Sequence, residues 1–230
     1  MNLRLLTSNL EAIQARVERA AERSGRDPSS IRIIAVSKTR SVEEIERLYL
    51  LGIRDFGENY LQELVPKIEI LESKGIHLCW HFIGQLQSNK VRQLPPQVQW
   101  IHGLDRMSAA KQVLTRGTKS KCLLQVNIAQ EDQKAGLEPE SVLKTLETLD
   151  TQLALPIYGL MVFPPFSEDI GQTRGFFKQA RTLFEDARNL SWKHHKIEQL
   201  SMGVSSDFEI AIEEGATMIR VGESIFGKRS

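Results

Sequence analysis

Residues 31–44 read IRIIAVSKTRSVEE, and two signals in that stretch decide the fold class. Ile31–Val36 is a short run rich in β-branched residues with little alternation, the pattern of a parallel strand covered on both faces. Just beyond it, Ser41-Val42-Glu43-Glu44 is a capping box, in which a hydroxyl and a carboxylate satisfy the first free amides of a helix. That helix runs through Leu51, and Gly52 closes it. A buried parallel strand feeding a capped helix is one unit of an α/β fold.

Outward from this unit the alternation continues. Upstream, Leu6, Leu10, Ile13, Val17 and Ala20 follow three- and four-residue steps, which predicts an amphipathic helix ending in the polar turn Ser24–Pro28. Downstream, strands are expected near Ile53–Phe56, Cys79–Ile83, Val98–His102, Cys122–Ile128, Leu155–Met161, Glu198–Met202 and Thr217–Val221. Helices are expected from Tyr60, around Ser88–Leu94, and at Met107–Arg116, Glu140–Leu149, Gln172–Asn189 and Asp207–Glu214. Eight strands with a helix in nearly every gap predict an α/β fold of the (β/α)8 TIM-type barrel, with an extra N-terminal helix, as a single domain over residues 1–230. A doubly wound open sheet is the alternative.

Composition narrows the function classes. Thirty basic residues against 29 acidic ones leave a net charge of +1, so the chain lacks the overall field that drives nonspecific nucleic-acid binding. Hydrophobic residues make up 41% and charged ones 26%, and no apolar run approaches the roughly 18 residues of a membrane span. Disorder and membrane insertion are therefore excluded at this level. Cys79 and Cys122 each lie in an apolar stretch, which suits reduced thiols in a cytoplasmic setting better than a disulfide framework. The opening MNLRLLTSNLEAIQARVERA carries acidic residues and lacks an apolar signal core, so no export is expected.

A barrel draws its chemistry from the C-terminal ends of its strands. The residues collected there are polar, glycine-rich and poor in paired carboxylates, which disfavours a glycosidase. Lys38 shares a strand face with Ile34 and Val36. Burial at such a place lowers an ammonium pKa and supplies the neutral amine that carbonyl and Schiff-base chemistry needs. A lysine whose head snorkels to the rim is the other reading. Ser201–Asp207 offers small residues and hydroxyls before a helix, and Arg220-Val221-Gly222-Glu223-Ser224 ends the next strand with a glycine where a phosphate could approach. Singly, Ser206 or Asp207 reads as an N-cap and Gly222 as a turn glycine. Together they match the phosphate site found after strands 7 and 8 of many barrels. A lysine, an anion nest and an arginine point to pyridoxal 5′-phosphate (PLP) as cofactor.

Six segments carry a family resemblance: AVSKT (35–39), FGENYLQE (56–63), WHFIGQLQSNK (80–90), LLQVNIAQEDQKAG (123–136), YGLMVF (158–163) and LSMGVSSDFEIAIEEGATMIRVGESIFG (200–227). In combination they resemble the pyridoxal-phosphate homeostasis proteins, the YggS/PROSC family. The resemblance implies the barrel of the alanine racemase N-terminal domain, with Lys38 as the Schiff-base lysine. Ser205, Ser206, Gly222 and Glu223 would hold the phosphate, and Arg220 would face the pyridine nitrogen. Asn59, His81, Ser201 and Met202 would line the same pocket, with Val36 and Met161 as apolar walls. The family usually carries methionine after Ser-Met-Gly, where this chain has Val204, and a small polar pair where it has Glu223-Ser224.

Other signals weigh less. Gly222–Lys228 fits the first part of a P-loop, but Arg229 stands where Ser or Thr is required, so an ATPase is not expected. His77, Cys79 and His81 alternate on one strand without a converging further ligand, and no metal is expected. An arginine at the ring nitrogen cannot accept a proton from it, which disfavours aminotransferase-type chemistry. The expected function is PLP homeostasis: storage, shielding or delivery of the cofactor, with effects on amino-acid and keto-acid balance. The protein is expected to work without catalytic turnover, as a cytoplasmic monomer, with PLP-accepting apo-enzymes as partners and no nucleic acid or membrane. A small PLP-dependent amino-acid racemase is the alternative, and a regulator acting only through its surface a more distant one.

Overall fold

A computed structural model describes residues 3–132 and 134–227. Its eight strands are β1 Arg32–Val36, β2 Asp55–Glu58, β3 Cys79–Gln85, β4 Val98–Leu104, β5 Lys121–Val126, β6 Ile157–Val162, β7 Gln199–Val204 and β8 Met218–Val221. All pair in parallel and in sequence order, and β1 closes on β8 with Ile34 opposite Arg220. The helices are α1 Leu3–Arg23, α2 Val42–Leu50, α3 Leu61–Ser73, α4 Met107–Arg116, α5 Val142–Thr148, α6 Ile170–Asn189, α7 Phe208–Glu213 and α8 Glu223–Phe226. The (β/α)8 barrel with an added N-terminal helix is therefore the observed fold, and the open sheet is set aside. No helix among the described residues is long and apolar enough to cross a membrane.

The capping box forms as the sequence requires, with Ser41 and Glu44 exchanging side-chain and backbone bonds at the start of α2. Helix α1 buries Leu6, Leu10, Ile13, Val17 and Ala20, the stripe its spacing predicts. It lies against the outer helices after β7 and β8: Arg16 pairs with Glu209 at 2.7 Å, and Asn9 Nδ2 donates to the Ile225 carbonyl at 2.9 Å. Between strands and helices sits the main core, with Phe56, Trp80, Phe177, Phe208 and Phe226 almost wholly buried. A second cluster, Ile34, Trp100, Leu123, Met161 and Met218, fills the barrel lumen.

Several elements start or stop one to three residues from the sequence expectation, and three departures say something physical. Strand β2 starts at Asp55 rather than Ile53, because the Ile53 amide donates back to the Leu48 carbonyl at 3.1 Å and so completes the turn leaving α2. Pro139–Ser141 is a separate 3₁₀ turn, and α5 follows it and then widens into a π turn over Leu149–Leu153. That widening buries Asp150, whose carboxylate accepts from the amides of Lys193 and His194 at 3.0 and 2.7 Å. The short helix α8 immediately after β8 was not anticipated. Arg229, which argued against a P-loop, lies outside the described residues. Gly203 is needed where it stands: its φ is +89°, and a Cβ there would lie 2.6 Å from the Ala211 Cβ, so the end of β7 packs directly on α7.

Candidate functional site

The C-terminal ends of the strands surround a cavity of about 460 Å³, the size class of small-molecule sites. Its wall contains Val36, Lys38, Asn59, Met161, Ser205, Ser206, Arg220, Gly222 and Glu223, each expected from the sequence. Ile83, Gly84, Gln85, Gln125, Phe163 and Val204 complete it.

Lys38 sits half-buried in the turn after β1. The turn is held from below by charges. Ser37 Oγ donates to Glu58 Oε1 at 2.7 Å, and Lys67 Nζ donates to that same oxygen at 2.7 Å and to the Ser37 carbonyl at 2.8 Å. Thr39, at φ 64° in the left-handed region, donates its amide to Glu63 Oε2 at 2.6 Å. Burial pushes the Glu58 carboxyl up, against the downward pull of Lys67. Lys67 is itself only 7% exposed, so this is a buried ion pair whose rupture would leave an uncompensated charge beneath Lys38.

On the strand next to β1, β8 presents Arg220. Its guanidinium donates through Nη1 to Ser201 Oγ at 2.8 Å and through Nη2 to the Val162 carbonyl at 3.0 Å. Burial pushes it down to about 10, partly offset by the charge of Asp207. Among the described residues no carboxylate forms an ion pair with it, so the cavity floor carries a cation whose counter-charge must come from a ligand or from a distance. Beside it, the amides of Gly222 and Ser224 both point at Ser205 Oγ, at 3.3 and 3.2 Å. Two backbone donors converging on one oxygen form a nest suited to an anion. Gly222 keeps the nest open, since a Cβ there would meet the Val36 carbonyl oxygen at 3.2 Å. Asp207 does not cap α7 by its side chain: its carboxylate turns back to accept from the Val204 amide at 2.7 Å, which tightens the loop carrying Ser205 and Ser206. Asn59 Oδ1 is buried without a hydrogen-bond partner, a further polar atom left for a ligand.

The structure places His81, Ser201 and Met202 off the cavity wall. Strand parity turns Met202 outward into the core between barrel and helices. His81 and Ser201 do face inward, but one layer deeper, beneath Arg220. There His102 Nδ1 lies 3.0 Å from Ser201 Oγ, His102 Nε2 lies 3.0 Å from His81 Nδ1, and His81 Nε2 lies 2.8 Å from Asp55 Oδ1. His102 was noticed at a strand end in the sequence, but nothing there linked it to Arg220. Burial lowers both histidines, His102 the more strongly because His81 and Arg220 add to the effect, while Asp55 pulls His81 the other way. Burial also raises Asp55, but His81 and Arg32 outweigh it and its carboxyl stays below the usual range.

These shifts set a pH dependence. A histidine whose folded pKa is depressed takes up its proton first in the unfolded chain, so its stabilisation is present above the unfolded value near 6.5 and is lost as the pH falls. The ceiling is about 1.4 kcal/mol per pH unit for each buried histidine. Urea unfolding at pH 7.5 and 5.5 is expected to show a clear loss at the lower pH, smaller in His102→Phe. Equal losses in wild type and variant would show that His102 titrates normally.

Comparison with known proteins agrees with this geometry. Residues 8–230 match the model of the alanine racemase N-terminal domain. A pyridoxal phosphate homeostasis protein from Haemophilus influenzae is 37% identical, covering 96% of this chain and 95% of its own. One from Aquifex aeolicus is 39% identical, covering 96% of each. Among solved structures, PipY from Synechococcus elongatus with PLP bound superposes at a TM-score of 0.79 and 35% identity, over 92% of this chain and 100% of that one. Alanine racemase from Corynebacterium glutamicum shares the fold alone, at a TM-score of 0.73 and 12% identity, with the present chain spanning 62% of it. Full-length similarity to the homeostasis proteins, on a barrel whose mouth gathers a lysine, an arginine and an anion nest, settles kinship: the chain belongs to the pyridoxal phosphate homeostasis protein family.

Proposed function

We propose that the protein binds pyridoxal 5′-phosphate in the mouth of its barrel and stores, shields or delivers it, without turning over amino acids. The observation that carries this reading is that Lys38, the buried Arg220, Gly222 and Ser205, on whose hydroxyl the Gly222 and Ser224 amides converge, border one cavity of about 460 Å³. The bound cofactor supplies an aldehyde for capture by an amine and a ring that withdraws electrons. Lys38 provides the covalent anchor, as a Schiff-base lysine. The nest, with the Ser205 and Ser206 hydroxyls and the Glu223 backbone, holds the phosphate by charge-assisted hydrogen bonds. Asn59 Oδ1 offers an acceptor, and Val36 and Met161 present apolar surface to the ring.

Arg220 faces the ring nitrogen. A guanidinium donates hydrogen bonds and accepts none, so it keeps that nitrogen unprotonated and weakens the ring as an electron sink. This argues against aminotransferase-type chemistry, while a racemase tolerates an arginine there and is separated from a carrier by assay. The cavity is complete within one chain, which supports a monomer, and the free thiols Cys79 and Cys122 suit the cytoplasm. PLP-accepting apo-enzymes are the partners this role requires.

Mixing the purified protein with PLP is expected to give a visible absorption band distinct from free cofactor, and the loaded protein should restore activity to an apo-enzyme. Racemisation, transamination and decarboxylation of proteinogenic amino acids should not exceed the free-cofactor rate. Substantial Lys38-dependent racemisation would overturn the carrier reading and establish a small racemase.

A further inference from the structure

The polar column beneath the cavity has a single consistent direction. Arg220 can only donate, so Ser201 Oγ accepts from it and has one proton of its own left to give. The neighbouring group is His102 Nδ1 at 3.0 Å, which takes that proton when it is bare, as the carboxylate end of the column requires. A neutral His102 carries its proton on Nε2 and donates it to His81 Nδ1 at 3.0 Å. His81 in turn carries its proton on Nε2 and donates to Asp55 Oδ1 at 2.8 Å, a carboxylate that also accepts from Arg32 at 3.1 Å. Reversing the His81 ring would set its bare Nε2 against an ionised carboxylate, and reversing His102 alone would leave two lone pairs facing across its link to His81. The cation at one end and the carboxylate at the other fix the order.

We propose that this column, Arg220 to Ser201 to His102 to His81 to Asp55, is a one-way relay that positions the Arg220 guanidinium and couples it to a counter-charge at the opposite end of the barrel. His102 and His81 act in it as neutral Nε2–H positioning residues. The inference rests on the PLP reading above for its effect, but not for its geometry. Ser201, His81 and His102 are fully buried, so no water competes for the links. Trp100 stacks on His81 with an interplanar angle of 2°, which fixes the plane of that ring. Asp55, Cys79 and His81 also bring one donor atom each within 4.8 Å, and the relay gives the His81 nitrogen there a proton instead of a metal. Among the described residues no carboxylate forms a direct ion pair with the buried Arg220, Asp207 acting on it only through space, and the relay supplies what such a pair would otherwise do: it aims a donor at a fixed acceptor, as the Val162 carbonyl does for a second, and leaves the remaining N–H groups for the ligand.

Two arms test this. The first needs no cofactor: long-range ¹H–¹⁵N correlation spectra of histidine-labelled protein at pH 7.5 should show His81 and His102 as neutral Nε2–H rings, assigned by the loss of one set of signals in His102→Phe. A cationic ring or an Nδ1–H tautomer at either position overturns the relay. The second arm compares PLP affinity and the absorption maximum of the bound form in Ser201→Ala, His102→Phe and the double variant. Each single change should weaken affinity about tenfold and move the maximum, as expected for losing a bond to a charged group, and the double variant should be no worse than either alone. His102→Gln, which keeps a donor and an acceptor, should recover most of the affinity and bears on the same point should the Phe variant fail to fold. Losses that add as independent packing defects would, or affinities and maxima unchanged in every variant, overturn it. A wild-type protein that binds no PLP refutes the functional reading, while the tautomers still decide the relay.

Discussion

Lys38→Ala is expected to abolish the borohydride-fixed PLP adduct completely while noncovalent, phosphate-dependent binding persists. Lys38 is the lysine on the cavity wall, in a turn fixed by the Thr39 amide on Glu63 and by Ser37 on Glu58. The nearest rival, Lys67, cannot substitute. Its Nζ is committed to Glu58 and the Ser37 carbonyl at 2.7 and 2.8 Å, and an ammonium held by a buried carboxylate has no lone pair to attack an aldehyde. Peptide mapping after reduction checks this, and an adduct at Lys67 or Lys90 would sink the assignment. Circular dichroism of the variant should match wild type, because Ser37 and Lys67 on Glu58 and the Thr39 amide on Glu63 still hold the turn.

The barrel was legible because its strands declare themselves locally. Ile31–Val36 is apolar but for Arg32, and the Ser41 box states where the next helix begins, so both were placed to within a residue. Elements whose limits depend on tertiary contacts were not. Ile53 has the character of a strand residue and serves instead to finish a turn, since its amide had a helical carbonyl within reach. The π turn after α5 exists to bring Asp150 under two amides of a loop more than forty residues away, which no local pattern announces.

The site divides along the same line. Cavity residues follow from knowing that strand ends carry the chemistry, and Lys38, Ser205, Arg220 and Gly222 were found that way. Depth is another matter. The family resemblance names Ser201 and His81 as pocket residues without saying how far down the lumen they sit, and the structure puts them in the layer beneath Arg220. Lys67 was missed because Glu63 and Lys67 stand at the i, i+4 spacing of an ordinary surface pair, and only packing of α3 against the Ser37 turn buries that lysine. The relay could not be read at all: its links join residues 19 to 99 positions apart in sequence, and they exist only once the barrel closes.

Pyridoxal, which lacks the phosphate, is expected to bind more weakly than PLP by roughly 10²–10⁴-fold. Hydrogen bonds to a charged group contribute about 1.5–3 kcal/mol each, and the nest offers at least the Gly222 and Ser224 amides, so about 3–6 kcal/mol depends on the phosphate. In the structure those amides donate to Ser205 Oγ, a neutral oxygen. A doubly charged phosphate gains more from the same donors, and the hydroxyl is then released to donate to it. Gly222→Ala separates the nest from the rest of the cavity. The backbone there, at φ −118°, accepts alanine, but the new methyl would press on the Val36 carbonyl at 3.2 Å and on the Val36 Cβ at 3.3 Å. The strand end must then shift by a few tenths of an ångström, and the two amides no longer converge. PLP affinity should fall steeply in Gly222→Ala while pyridoxal affinity barely changes, so the gap between the two ligands narrows, and inorganic phosphate should lose its ability to compete. Titration of both ligands against both proteins reads this directly. Equal affinities for PLP and pyridoxal in the wild type would remove the nest from the binding site and leave Lys38 and Arg220 to hold the ligand alone.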